Sequence, residues 1–466
     1  MARNSDPALD ARWLRGEIAV VGLARSGRAV ARLLARSGSD VYASDAGSDA
    51  TVQEAATALR ADGVAVDVGH HDLARIARTS LVVVSPGVPP NAPPLAAARA
   101  AGIPIVSEIE IGLRFLPQLR YIGVTGTNGK TTTTALTGAL LSALGRRSVT
   151  AGNIGTPLAE VALASSPPEW CALELSSFQL HDTPSVNPAV GVLTNLSANH
   201  LDRYSGVEAY YADKALLFKN ATAASHWVSN ADDPDVQTMV SHVPGMQCRF
   251  SVKRRSDAYL DASSGNLVVL GHPLIPRSEL GLMGDHNVAN ALAASLAVMI
   301  ADRDHRTGAA LGRIASALRE FRALEHRIEP AGEFGGVRWI NDSKSTNVAS
   351  TLVALRGMRQ PTVILLGGRH KGEPYTSLGD ELRRIGRAVV AYGEAAPIVA
   401  KDLNGLLPIT QVAGDFDEVI ETARRLAKPG DAVLLSPACS SYDMFDNYEE
   451  RGRAFKELAR GAAESV

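Results

Sequence analysis

The sequence predicts an α/β protein of three domains: a Rossmann-like N-terminal domain, a central domain of phosphate-loop type and a second Rossmann-like domain at the C-terminus. Three observations carry this. At 466 residues the chain exceeds one ordinary core, since domains run to roughly 100–200 residues. Three segments each open on a β-rich run that passes through a glycine or polar turn into a helical pattern, as units of a parallel sheet do. No internal repeat or low-complexity tract is visible, which argues against a solenoid.

Taken in order, the segment 1–107 opens with a strand over 17–22 and a helix over 27–37, with further strands over 40–44 and 80–84. The segment 108–324 has strands over 121–125, 171–173 and 189–194 and closes on a helix over 287–301, the boundary falling between Ala317 and Ala331. The segment 325–466 has strands over 337–340, 362–366, 388–392 and 432–435, each followed by a loop and a helix-like stretch.

Composition narrows the class. Apolar residues at 45% and charged residues at 21% are ordinary for a globular chain that buries ample core. A formal net charge of -2 supplies no global field for nucleic acid or an anionic membrane, so neither is expected as a partner. Three cysteines, Cys171, Cys248 and Cys439, fit neither a disulfide framework nor a zinc site and point to a reducing cytoplasm. The polar N-terminus lacks the apolar stretch of a signal peptide, and the apolar run 291–301 falls short of the ~20 residues that span a bilayer; it reads as a buried helix.

The strongest motif is Gly123-Val-Thr-Gly-Thr-Asn-Gly-Lys-Thr-Thr132, between a β-branched strand and a helix. Gly126 and Gly129 let the backbone curl so that its N–H groups face phosphate oxygens. Lys130 adds a point charge, and Thr131 is the candidate magnesium ligand. The generic pattern wants a glycine six residues before the lysine, where this chain has Val124. Downstream, Glu174 in Glu174-Leu-Ser-Ser-Phe-Gln-Leu180 and His200 in Asn195-Leu-Ser-Ala-Asn-His-Leu-Asp-Arg-Tyr204 both follow strands, where open α/β sheets place ligands. From the residues alone, Glu174 serves equally as a helix-capping acid and His200 as a surface histidine, while Lys214 reads as an ordinary helix-surface lysine. Asn287 and Asn290 share a helix face at i, i+3.

Two further constellations lie outside the central segment. Gly22-Leu-Ala-Arg-Ser-Gly27 with Asp45 resembles a dinucleotide fingerprint, but Ala24 sets a methyl group where a pyrophosphate should approach. In the last segment, Asn341-Asp-Ser-Lys-Ser-Thr-Asn347, Gly367-Gly-Arg-His-Lys-Gly372 and Ser436-Pro-Ala-Cys-Ser-Ser-Tyr-Asp-Met-Phe445 are polar loops after strands, a set suited to a carboxylate or phosphate. Cys439 reads as a small buried hydrophobe.

TGTNGKTT, ELSSFQL, the histidine motif and the DSKSTN loop, met in this order, resemble the Mur ligase family, and the resemblance covers nearly the whole chain. It implies a UDP-substrate domain (1–107), an ATP-binding domain (108–324) and an amino-acid-binding domain (325–466). The activity implied is ATP-dependent amide-bond formation: D-glutamate joined to UDP-N-acetylmuramoyl-L-alanine through an acyl phosphate in peptidoglycan precursor synthesis, by a cytoplasmic monomer. By the same resemblance ATP meets Gly126, Thr127, Asn128, Gly129, Lys130, Thr131, Thr132, Asn287, Asn290, Arg327 and Asp342, with the two asparagines facing the adenine end. Two magnesium ions meet Thr131, Glu174, His200 and an N-carbamylated Lys214, so that Lys130, His200 and Lys214 form the catalytic set. The UDP substrate meets Gly22, Leu23, Ala24, Arg25, Ser26, Asp45, Ala46, Ser85, Pro86, Gly87 and Asn153. D-Glutamate meets His200, Lys344, Thr346, Lys371, Ser436 and Phe445. The family often has aspartate before the histidine; Asn199 stands here and carries no charge. Another amino-acid ligase of this type, a folylpolyglutamate synthase and, more distantly, a nicotinamide-dependent oxidoreductase are the rival readings.

Overall fold

A computed structural model describes residues 13–200, 203–322 and 324–461. The stretch read for a signal peptide lies largely outside the described residues, as do Leu201 and Asp202 of the histidine motif. The chain divides into two compact units: residues 1–196, 208–275 and 290–318 form one, and residues 197–207, 276–289 and 319–466 the other.

The first unit holds two sheets. One comprises β1 (Ile18–Val21), β2 (Val41–Asp45), β3 (Ala65–Val68), β4 (Leu81–Val84) and β5 (Ile105–Ser107) in the order β3-β2-β1-β4-β5, all parallel. β1 and β4 are unbroken runs of buried β-branched, alanine and leucine residues, as strands covered on both faces must be. The expected strands over 17–22, 40–44 and 80–84 are β1, β2 and β4. The short β3 and β5, flanked by alanine-rich helices, carried no separate signal.

The second sheet comprises β6 (Arg120–Thr125), β7 (Ser148–Gly152), β8 (Trp170–Glu174), β9 (Val190–Leu193), β10 (His226–Asn230), β11 (Met246–Ser251), β12 (Ala258–Leu260), β13 (Asn266–Val269) and β14 (His272–Pro276). Their order is β14-β13-β12-β11-β10-β9-β6-β8-β7. β7 to β12 are parallel, and β13 turns back antiparallel on β12. The sequence showed only β6, β8 and β9, because the later strands are short and mix polar with apolar residues. The helix Asp285–Ala301 starts two residues earlier than expected, and its run from Ala291 to Val298 is buried. Among the described residues no helix is long and apolar enough to cross a membrane.

The second unit carries β15 (Glu329–Phe334), β16 (Val337–Asn341), β17 (Thr362–Gly367), β18 (Gly386–Tyr392), β19 (Ile409–Val412) and β20 (Ala432–Leu435), in the order β15-β16-β20-β17-β18-β19. Only β15 runs antiparallel. Apolar cores lie on both faces, one around Ile340, Ile364 and Leu434, the other around Trp339, Leu365 and Phe455. The three cysteines are free and buried, as their spacing implied.

Candidate functional site

At the end of β1 the chain turns through Gly22, whose φ of 93° suits glycine, directly into the helix Arg25–Arg36. Gly27 lies so close to the strand that a Cβ there would meet the Gly22 carbonyl oxygen at 1.7 Å and Ser85 Oγ at 2.6 Å. Ser85 Oγ donates to that carbonyl at 2.9 Å, tying the C-terminal ends of β1 and β4. Asp45, ending β2, accepts the amides of Leu23 at 2.7 Å and Gly47 at 2.8 Å. A cavity of about 660 Å³ opens here, where the strand order reverses between β1 and β4, the place where open α/β sheets bind ligands. Every residue that the resemblance assigns to the UDP substrate lines it except Leu23, whose side chain is buried. Asn153, Gly155 and Pro157, beyond β7, form part of the wall, and Arg25 Nη2 donates to the Gly155 carbonyl at 3.0 Å. Sequence reasoning missed His71, which lines the cavity and hydrogen-bonds Ser44 Oγ through Nδ1 at 2.9 Å; burial lowers its pKa.

The turn from β6 into the helix Lys130–Ala143 places Gly126 at φ 142° and Gly129 at φ 80°. Two residues after β9 clamp it: the Asn195 carbonyl accepts the Thr127 amide at 2.9 Å, Asn195 Oδ1 accepts the Asn128 amide at 2.8 Å, and Thr194 Oγ1 donates to the Asn128 carbonyl at 2.6 Å. Both belong to a strand end that the sequence revealed only as a strand. Asn290 Oδ1 accepts from Thr133 Oγ1 at 3.2 Å and lies where a Cβ on Gly129 would meet it at 2.4 Å. This puts Asn290 against the phosphate loop. Asn287, in the other unit, donates through Nδ2 to the Met283 carbonyl at 2.8 Å.

Lys130 Nζ donates to the carbonyls of Gly126 at 3.0 Å and Thr127 at 2.8 Å. Lys214 Nζ donates to the same Gly126 carbonyl at 2.6 Å and sits 4.4 Å from the centre of the Tyr210 ring. Lys214 is 1% exposed, which overturns its reading as a surface lysine. Burial first, then the charge of Lys130, holds its amine well below the usual lysine range, against the opposing pull of Glu174 and Asp213. Glu174 is the last residue of β8, not a helix cap. Its Oε1 accepts from Asn153 Nδ2 at 2.8 Å, and its buried Oε2 has no hydrogen-bond partner among the described residues. Thr131 and Thr132 are buried in the first turn of the helix, and Thr132 Oγ1 is likewise unpartnered. A buried, incompletely bonded carboxylate and helix hydroxyls beside a phosphate loop are oxygen donors that fit a hard divalent cation. His200 does not stand at a strand end. It lies on the loop well beyond β9, within the other unit, at φ 56°, and its amide bonds Asn199 Oδ1 at 2.9 Å.

In the second unit the three polar loops do share one rim, since β16, β20 and β17 are adjacent and parallel. Ala438 N–H reaches the Ser345 carbonyl at 2.9 Å, Arg369 N–H the Ser440 carbonyl at 2.9 Å, and Lys371 Nζ reaches Thr346 Oγ1 at 3.2 Å. Asp342 is buried and accepts from Ser436 Oγ at 2.7 Å and the Ile328 amide at 3.1 Å. Burial pushes its pKa up to about 6, opposed by those hydrogen bonds and by the charge of Arg327. Ser436 is fully buried, with its hydroxyl committed to Asp342 and Thr351, so it supports the loop from below. Phe445 packs edge-on to Phe416 at 5.0 Å, and Lys344 Nζ lies 5.1 Å from the Tyr448 ring centre.

The family profile for the Mur ligase middle domain matches residues 124–298; those for the MurD-like N-terminal domain and the glutamate ligase domain match residues 16–107 and 326–439. The chain belongs to the Mur ligase family. Its relatives include the UDP-N-acetylmuramoylalanine–D-glutamate ligase of Acidobacterium capsulatum, 39% identical over 97% of this chain and 98% of that one. The enzyme of the same name from Anaeromyxobacter dehalogenans is 40% identical over 95% and 97%. Among solved structures, the MurF ligase of Thermotoga maritima in complex with ADP superposes with a TM-score of 0.60 at 18% identity, covering 91% of this chain and 95% of that one. A pseudomurein peptide ligase type C from Methanothermus fervidus gives 0.59 at 20%, covering 96% and 100%. At such identities these structures speak to the Mur ligase fold alone. That fold confirms the α/β architecture of parallel-sheet domains read from the sequence.

Proposed function

We propose that this Mur ligase joins D-glutamate to UDP-N-acetylmuramoyl-L-alanine at the expense of ATP, in the cytoplasm, where peptidoglycan precursors are made. Asn153 carries the site reading: it lines the 660 Å³ cavity and also donates to Glu174, so a nucleotide-linked substrate held in the cavity presents its free end toward the phosphate loop. The relatives named for this reaction, 36–40% identical over nearly their whole length, support the choice of substrates. We assign 1–107 to the UDP substrate, 108–324 to ATP and 325–466 to the amino acid.

In the first step the substrate carboxylate attacks the γ-phosphorus of ATP, giving an acyl phosphate and ADP. The first turn of the helix Lys130–Ala143 turns its amides toward the phosphates, as helix N-termini do, and Lys130, moving off its own loop carbonyls, meets the charge that develops on the transferring group. Thr131, Glu174, His200 and a carbamate on Lys214 are the proposed magnesium ligands; the ions supply charge neutralisation. Burial lowers the Lys214 pKa and so favours the uncharged amine, the form that attacks carbon dioxide: the nitrogen bonds the carbon, a C=O π pair moves onto oxygen and the nitrogen releases a proton, which leaves an anionic carbamate. In the second step the D-glutamate amine attacks the acyl carbon and phosphate leaves. On this reading Lys371 and Thr346 hold one carboxylate, and Lys344 with the 436–445 loop the other, while Asp342 and Arg327 border the nucleotide; the Lys371–Thr346 contact at 3.2 Å supports the first pairing.

The test is phosphate release with UDP-N-acetylmuramoyl-L-alanine, ATP and a panel of amino acids. D-Glutamate should support turnover and L-glutamate should be poorer by a factor of order a thousand, because inversion at the α-carbon strands a carboxylate or the amine. Equal use of L-alanine or L-glutamate would overturn the assignment.

A further inference from the structure

Beneath the three loops of the second unit lies a charged side chain that neither sequence motifs nor the proposed chemistry used. Arg451, in the helix Tyr448–Gly461, is completely buried and makes no ion pair among the described residues. Its guanidinium instead bonds the loops. Nε donates to Ser343 Oγ at 3.0 Å, Nη1 to the Ser440 carbonyl at 3.3 Å, and Nη2 to the carbonyls of Ser343 at 2.9 Å and Cys439 at 3.2 Å. Ser343 Oγ in turn donates to the Tyr448 carbonyl at 2.8 Å. The third loop fits around the same group: a Cβ on Gly368 would stand 3.2 Å from Nη1 and 2.2 Å from the Ser440 carbonyl oxygen.

We propose that Arg451 is a positioning residue for the incoming amino acid, locking the 341–347 and 436–445 loops into the single relative arrangement in which Lys344, Thr346 and Lys371 converge. The inference rests on the reading that these loops hold the amino acid. An unpaired cation is an expensive way to fill a core, and apolar replacements of buried charges are commonly as stable or more so. The pattern of contacts explains its presence: a planar fork reaches carbonyls on two loops at once, which the single point charge of a lysine does not. A merely structural arginine would be expected to serve one loop or to pair with an acid.

The experiment measures KM for each of the three substrates separately in Arg451→Lys, Ser343→Ala, Thr346→Ala and Lys371→Ala, with melting temperature alongside. Arg451→Lys is expected to raise KM for D-glutamate by about tenfold or more, as loosened loops misplace the amine, while KM for ATP and for the UDP substrate stays within about twofold. Ser343→Ala should move the same constant in the same direction by less, and amide exchange in the 341–347 and 436–445 segments should quicken in both. If Thr346→Ala and Lys371→Ala leave KM for D-glutamate unchanged, the reading of the site itself fails. If those two raise it while Arg451→Lys shifts all three constants alike, or lowers only the melting temperature, the positioning role is overturned. Should Arg451→Lys not accumulate as folded protein, Ser343→Ala decides, and an unchanged KM for D-glutamate there counts against the proposal.

Discussion

Glu108 offers the sharpest physical test of the fold around the cavity. It opens the helix Glu108–Phe115, where β5 ends, and is completely buried; its Oε1 accepts the Ala159 amide at 2.5 Å, capping the short helix Leu158–Ala162 that follows the cavity wall. Oε2 has no partner among the described residues. Burial raises its pKa to about 7, against an ordinary carboxyl value of 4.5, with the amides of Ala159 and Leu158 opposing the shift. The folded state therefore holds a proton that the unfolded state has lost between those two values, so Glu108 destabilises the fold progressively as pH rises through the window and contributes no further change above it. Linkage puts the loss from pH 5 to pH 8 at about 2.5 kcal/mol. Glu108→Gln keeps the oxygen that accepts the Ala159 amide and cannot titrate. Its urea-unfolding free energy, relative to wild type measured in parallel, should improve by about 2.5 kcal/mol between pH 5 and pH 8. A wild-type-minus-variant difference that is flat with pH, or that moves the other way, would refute the claim that this carboxyl is held protonated by its burial.

Lys130→Ala should retain the melting temperature within a few degrees yet lose turnover by about a thousandfold or more, since a charge acting on the transferring phosphoryl is gone; ADP release by a folded variant is the check. Lys214→Met, matching the shape of a buried side chain, should unfold within about 1.5 kcal/mol of wild type and be inactive, because Lys130 still serves the Gly126 carbonyl. Wild type labelled with 13C-carbon dioxide should show a carbamate signal that this variant lacks, and its absence from wild type would end the carbamate proposal. Gly27→Ala should cost about 3 kcal/mol or more and weaken binding of the UDP substrate, as a methyl cannot occupy the space held by the Gly22 carbonyl. Near-native stability and binding would show that the turn is looser than its 1.7 Å approach implies.

Features that depend on local spacing were legible in the chain. The glycines of the phosphate loop, the β-branched runs of β1, β4, β6 and β20, and the buried helix at 291–298 all declare themselves within a few residues, since backbone conformation and apolar periodicity are near-neighbour properties. Short strands such as β3, β5 and β10 to β14 did not, because their place depends on what they pair with. Lys214 shows the limit most clearly. Nothing near it in sequence separates it from a solvated lysine, yet chain segments far away bring it to the Gly126 carbonyl and bury it.

The sequence by itself determined the fold class, the phosphate loop and the family, because these rest on residues in contact along the chain and on motifs in a fixed order. Only the tertiary structure decided that Asn153 couples the cavity to Glu174, that Asn290 abuts Gly129, that Ser436 supports its loop from below and that Arg451 braces two loops at once. Each of these is a contact between segments remote in sequence. Its existence depends on strand order and helix placement, and a polar side chain gives no local sign of which distant backbone group will satisfy it.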